Sequence, residues 1–361
     1  MEGDDIMSDM MQAIINSKKI KYVILNNLIK DLPQDTEEIN LFISIESIIK
    51  SFYATKVNEI FNSLDQEDKY LLSSELINVA AHYRHYFWSR FNMPSNFYFY
   101  YSDEKAFHNT VLDNEYRNTY YTKRFDSKSE YYNLNKIIDE NLNLSNILSE
   151  YLPNIYFINT RTLEPSILPY HIISKLGNIQ GVTNVILTNN TLDYQLVSLP
   201  NTFIIEMKMD KSFVISKDNL YQILLKKSKI KNDTPLSHVF YPSILSISGY
   251  KSYNIEGIKG MGMIKTISKL EKAIASGIIG NDIVSSDITL ISGKLFENKD
   301  TINKNYKVLS YSYQNKNISP KEIFNIKQQI TNKSDNMSLM EINRLYYERY
   351  PLMLIELMEG E

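Results

Sequence analysis

No cysteine occurs in the 361 residues, which excludes disulfides and thiolate metal centres and suits a reducing compartment. No apolar run comes near the roughly 20 residues that cross a bilayer, so no membrane span is expected. There is no excess of positive charge either. A net charge of −3 argues against a basic coat over the whole molecule, while leaving room for a local patch. The first residues, MEGDDIMSDMM, are acidic and lack the basic and apolar regions of a signal peptide, so export by one is not expected. Internal repeats and long low-complexity linkers are also missing. What is plentiful is Lys, Asn, Ile and Tyr, the residue usage of an A·T-rich genome. With 43% hydrophobic and 22% charged residues, the length allows one large domain with additions, or two domains.

Glycine is scarce, at 11 residues, yet Gly257, Gly260 and Gly262 fall within six positions. They lie in Gly249 to Thr266, GYKSYNIEGIKGMGMIKT, between an apolar run and a helical run. Glycine accepts positive φ and lets a partner approach the backbone without a Cβ in the way. A glycine-rich turn that opens a helix aims several N–H groups at one point, where the helix dipole favours an anion. Lys259 and Lys265 flank the turn, and phosphate is the obvious anion.

Five short apolar runs suit the buried strands of a parallel sheet: residues 39–44, 96–101, 154–158, 184–188 and 201–207. Helices are expected at 6–32, from about 48, at 71–91, 131–148, 216–229 and 265–274, with others starting at Ser319 and Ser338. Beyond about 287 the pattern is hard to read apart from those last two starts. His82 and His85 are spaced to share a metal, but no third ligand stands nearby, which makes packing or surface polarity the alternative. EYRNTYYTKR at 115–124 mixes Arg117, Lys123 and Arg124 with Tyr116, Tyr120 and Tyr121. That mixture suits single-stranded nucleic acid, and equally a solvated helix with ordinary tyrosines. Lys226-Lys227-Ser228-Lys229 is either a DNA contact or a solvated face.

The glycine-rich stretch resembles the helix–three-turn–helix of the flap endonuclease and 5′-to-3′ exonuclease family, with its G-D-x-x-D-N-I-P-G-(I/V)-x-G-(I/V)-G pattern followed by Lys-Thr. Gly249, Asn254, Ile255, Gly257, Gly260 and Gly262 match it, with Lys265 and Thr266 as the Lys-Thr pair. Thr188, Gln195 and Leu196 resemble the family's (S/T)-G-D-x-D-x-x-Q-L, and 115–124 its arch segment. The resemblance covers roughly residues 38–283. The expected acids are replaced at every motif. Ser44, Leu168, Tyr170, His171, Asn190, Leu192, Tyr250 and Tyr253 stand in their places, and Asp193 is one residue out of phase.

The resemblance implies an α/β fold, with a mostly parallel central sheet flanked by helices. It implies an N-terminal helical segment at 1–35, the α/β domain at 36–230 with an arch-like region about 103–150, the helix–three-turn–helix module at 231–285, and a helical extension at 286–361. It assigns contact with duplex or flap DNA backbone to Gly257, Lys259, Gly260, Gly262, Lys265, Thr266, Arg117, Lys123 and Arg124. A monovalent cation is expected at the 257–262 turn. Magnesium is not expected, because hydrolysis by this fold uses two divalent ions held by carboxylates. The expectation is a non-cutting DNA-binding or structural component with protein partners, of phage origin on residue usage and family distribution, and hence with a place in host cytoplasm or virion. The alternative is an active nuclease drawing on Glu46, Asp103, Glu164, Asp193, Glu206 and Asp210.

Overall fold

The structure is a computed structural model, and it describes residues 32–33, 35–45, 95–101, 154–160, 163, 166–206, 213–227, 236–253, 255–280 and 288–331. The expected elements at 6–32, from 48, at 71–91, 131–148 and from Ser338 lie outside these residues, as do Glu46, His82, His85, Asp103, Arg117, Lys123, Arg124, Glu164 and Asp210.

All five expected strands form: β1 (Glu38–Ser44), β2 (Ser95–Tyr101), β3 (Ile155–Asn159), β4 (Val182–Thr188) and β5 (Thr202–Glu206). They pair in parallel in the order β3-β2-β1-β4-β5. A sixth, unforeseen strand, β6 (Phe213–Ile215), closes the far edge antiparallel to β5. Consecutive residues Ile39 to Ile43 of β1 are all buried, so both faces of the sheet are covered, and this is why the strands read as continuous apolar runs. The register stacks rings across strands. Phe42 lies on Tyr98 at 4.8 Å and Tyr98 on Tyr156 at 4.9 Å between centroids, and this accounts for the aromatic run in β2.

A polar row crosses the three central strands β2, β1 and β4. Asn96, Asn40 and Asn184 stand in register on β2, β1 and β4. Asn96 Nδ2 donates to Asn40 Oδ1 (3.0 Å), Asn40 Nδ2 to Asn184 Oδ1 (3.2 Å), and Asn184 Nδ2 to Pro200 O (3.2 Å). Asn96 also donates to Glu38 at the start of the row. A one-residue slip would break each link, so the row fixes the register of the parallel pairing. Asn40→Leu should destabilise by about 1–3 kcal/mol, because it strands the amides of both neighbours. In urea melts, Asn40→Leu/Asn184→Leu should cost less than the two single changes added together.

Eight α-helices are found among the described residues. α1 (Ile167–Leu176) follows β3, and α2 (Leu220–Lys227) follows β6. The helix expected from 216 begins only at Leu220, because Ser216–Asn219 forms a turn in which Asn219 Oδ1 accepts from Ser216 N (2.8 Å). α3 (Tyr241–Ser248) and α4 (Met263–Ala275) flank the glycine-rich stretch. α5 (Gly293–Glu297), α6 (Lys299–Leu309) and α7 (Tyr311–Asn315) fill the part of the sequence that was hard to read. α8 (Pro320–Thr331) begins where Ser319 predicted, with the Ser319 hydroxyl accepting from Glu322 N at 3.2 Å.

One hydrophobic cluster joins Phe42, Tyr98 and Ile186 of the sheet to Leu168, Leu196, Ile244, Leu270, Leu309 and Ile326, and so runs across 230/231 and 285/286. α8 lies along the edge strand β3. Gln329 accepts from Asn159 N (2.8 Å) and donates to Asn159 O (3.1 Å), which satisfies an edge that would otherwise offer unpaired groups.

Candidate nucleic-acid interface and sheet edge

Of the residues at the expected acid positions, Asn190, Leu192 and Tyr250 come together just beyond the end of β4. Thr188 ends β4, and Asn190 caps the 3₁₀ helix Thr191–Ser198. Asn190 Oδ1 accepts from Leu192 N (3.1 Å) and from the Tyr250 hydroxyl (2.7 Å), while its Nδ2 donates to Ser166 Oγ (3.3 Å). Tyr250 also meets Thr191 Oγ1 at 3.1 Å. Two of the expected acid positions are thus joined directly by a neutral hydrogen bond. Leu168 and Leu192 are fully buried in the core. Tyr170 is half-buried, and burial followed by the nearby Tyr306 pushes its hydroxyl pKa up. His171 packs under α7, with Nδ1 at 2.8 Å from Asn315 Oδ1. Burial lowers its pKa, aided by Lys175 and opposed by the Asn315 bond. Ser44 ends β1, and the Tyr253 side chain lies outside the described residues.

Of the six acids the alternative reading draws on, Asp193 and Glu206 lie among the described residues, and both are buried. Asp193 is 0% exposed. Its Oδ2 accepts from Thr188 Oγ1 (2.5 Å) and its Oδ1 from the Tyr311 hydroxyl (2.6 Å). Glu206 sits at the end of β5 against Tyr194, whose hydroxyl is pushed far up in pKa by burial and then by this carboxylate. Gln195, the matching Gln of the family motif, ties the same corner together. Its Nε2 donates to Leu192 O and Leu309 O, both at 3.0 Å, and its Oε1 accepts from Tyr311 N (2.8 Å). Among the described residues no group of three or more His, Asp or Glu is placed to share a metal. Leucine offers no ligand, and the Asn190 and Asp193 oxygens accept from protein hydroxyls.

The glycine-rich stretch folds as a small hairpin and turn between α3 and α4. β7 (Gly249–Tyr250) pairs antiparallel with β8 (Ile255–Glu256). Gly249 has φ +80°, and a Cβ there would lie 2.4 Å from Gly257 N. A Cβ on Gly257 would lie 2.2 Å from the Ser248 carbonyl carbon. Ile258 N then reaches Ile247 O (2.7 Å), and Met261 N reaches Ile258 O (2.8 Å). Beneath, Ile247, Ile258, Met261, Leu295 and Ile302 form an apolar seat, while buried Asn305 donates to both Ser246 O and Glu256 O at 2.9 Å.

Lys259, Gly260, Gly262 and Lys265 are all exposed on the outer side of this turn. Thr266 is not. It is buried, and its hydroxyl donates to Gly262 O (3.1 Å), so its predicted DNA contact is corrected to a role inside the first turn of α4. Gly257 is half-buried and packs closely against the Ser248 backbone. Sequence reasoning missed Lys294 of α5, whose ammonium would stand 3.8 Å from a Cβ on Gly260. Only the spatial return of α5 to the turn reveals it.

Comparison with protein-family models and with curated proteins gives no match. Solved structures do resemble the chain. A flap endonuclease of bacteriophage T5, in a pseudo-enzyme–product complex with DNA and metal ions, is similar at TM-score 0.45 and 12% identity, over 89% of this chain and 99% of that one. The T5 5′-exonuclease with bound zinc is similar at TM-score 0.47 and 11% identity, over 90% and 100%. No described helix is long and apolar enough to cross a membrane.

Proposed function

We propose that this chain is a DNA-binding protein of flap-endonuclease-like build that does not cut, and that it serves as a structural or interaction component of a phage-encoded virion or replication assembly. The observation that carries the first part is the Tyr250–Asn190 hydrogen bond. It connects a residue of the turn to one at the sheet edge, both at positions where the resembling family has acids. A carboxylate pair there would repel without a metal, whereas tyrosine and asparagine attract each other. Support for DNA contact comes from exposed Lys259 and Lys265 beside a turn that opens a helix. The phage part rests on residue usage, and protein partners belong to that part of the proposal.

The test uses the full chain with labelled duplex and flap DNA, with Mg²⁺ or Mn²⁺ present. Salt-sensitive binding without cleavage is expected, and Lys259→Glu/Lys265→Glu should weaken it by about tenfold or more, since each lost phosphate contact also removes about 0.9 from the logarithmic salt slope. Metal-dependent turnover that disappears in Glu206→Gln would overturn the non-cutting reading.

A further inference from the structure

We infer that the outer face of α8 is a docking surface for a segment of this same chain, residues 338–350, which packs back on α8 as the second arm of a helical hairpin. This goes beyond the DNA-binding reading above and does not depend on it.

One side of α8 covers the edge strand β3. Glu322 and Ile326 turn inward and are each 2% exposed, and Gln329 holds the Asn159 backbone. The other side is apolar where a solvated helix would be polar. Phe324 is 60% exposed and Ile323 37%. Half-buried Ile330 continues the same side toward the end of the helix. By helical geometry the three fall within about 120° of the circumference. Lys327 lies between them, and a lysine stem can run along apolar surface while its ammonium reaches water. Exposed apolar residues are ordinary when scattered singly. Here they form a stripe on one helix, next to a stretch of chain that supplies a matching stripe.

The occupant follows from what comes next in the sequence. Ser338 with Glu341 three positions on is a helix start, and Pro351 is a stop. Between them Leu339, Ile342, Leu345 and Tyr346 recur at i, i+3, i+6 and i+7, while Glu341, Arg344 and Glu348 share the other side. An apolar stripe of this kind needs an apolar surface to cover it. Residues 332–337 alone separate it from Thr331, a connection within the roughly two to eight residues that join antiparallel helices. The lengths match as well. The 12 residues of α8 span about 18 Å, and 338–350 as a helix spans about 20 Å. Phe324 stands seven positions before Thr331 and Leu345 seven after Ser338, so the hairpin brings these two side chains face to face. So short a tether holds the segment at a roughly millimolar effective concentration beside α8, which favours it over a second copy or a separate protein.

Disulfide trapping tests this cleanly, because the chain has no cysteine and introduced pairs carry the only thiols. Phe324→Cys/Leu345→Cys and Phe324→Cys/Ile342→Cys are oxidised in the full chain at low protein concentration. Phe324→Cys/Arg344→Cys, with its second thiol on the polar side, is the control. A disulfide needs Cα atoms within about 7 Å, so at least one apolar-side pair should close about tenfold faster than the control, as a cross-linked monomer that runs ahead on a non-reducing gel. In the cysteine-free chain, Phe324→Asp should speed tryptic cutting after Arg344 by about tenfold, since a docked segment is cut only when it opens. The melting midpoint should stay, because Phe324 lies mostly outside the core. Equal closure of all three pairs, or equal tryptic rates in parent and Phe324→Asp, overturns the proposal. Covalent dimers in place of closed monomers give the stripe to a second copy and overturn it too. None of these outcomes bears on DNA binding, which is measured separately.

Discussion

Replacing Asp193 by Ala is expected to destabilise the fold by about 3–5 kcal/mol. The carboxylate is fully buried and accepts from Thr188 at one oxygen and Tyr311 at the other. Hydrogen bonds to a charged group contribute about 1.5–3 kcal/mol each, and truncation leaves two buried hydroxyls unsatisfied. Tyr311→Phe, which removes one donor, should cost about 1.5–3 kcal/mol. The sign of the effect separates two roles for this acid. A metal-binding carboxylate is held near other carboxylates, and its neutralisation relieves repulsion and stabilises the metal-free protein. A carboxylate serving as the shared acceptor of two hydroxyls does the reverse. Urea denaturation of parent, Asp193→Ala, Asp193→Asn and Tyr311→Phe, with and without Mn²⁺, decides between them. Losses in all three variants with no effect of the metal are expected. A more stable Asp193→Asn, or stabilisation of the parent by Mn²⁺ that this change abolishes, would assign Asp193 to a metal site.

Much of the fold was legible because the strands are buried on both faces. Continuous runs such as 39–44 and 184–188 admit few other readings, and the register that stacks Phe42 on Tyr98 then follows from pairing. β6 was missed because three residues give no period to count. The residues standing at the motif positions could be read from the sequence, and the partners they bind could not. Reading Asp193 as one residue out of phase used the motif spacing alone. That it binds Tyr311 was out of reach, because the partner is 118 positions away in the part of the chain where no pattern stood out. Lys294 is hidden for the same reason, its place beside Gly260 depending on how α5 returns to the turn. Thr266 misled in the opposite direction. A Lys-Thr pair after a glycine turn suggests two outward contacts, but at successive helical positions one faces outward and the next turns about 100° inward. The asparagine row needed three strands in register before its meaning appeared, and each Asn alone reads as a polar blemish in an apolar run.

The glycines of the turn should separate under alanine substitution, and the pattern tests both the structure and its use. Gly257→Ala places a methyl 2.2 Å from the Ser248 carbonyl carbon and 2.3 Å from its oxygen. These are backbone atoms, and Ile258 N→Ile247 O fixes the same contact from the next residue, so neither strand can yield without breaking the hairpin. A cost of about 3 kcal/mol or more is expected, at or beyond the upper end for overpacking. It should appear as a lowered melting midpoint, with DNA binding lost along with the turn. Gly249→Ala should behave alike, having both positive φ and a 2.4 Å overlap. Gly262→Ala should do the opposite. The new methyl meets nothing, the backbone accepts it, and the unfolded chain loses freedom, so stability should hold or rise by up to about 1 kcal/mol. Binding to duplex DNA should nonetheless weaken, because the methyl takes open space at the start of α4 that an approaching phosphate would use. Binding unchanged in Gly262→Ala would show that nothing approaches the turn at that point, and the phosphate contact would then rest on the lysine side chains alone.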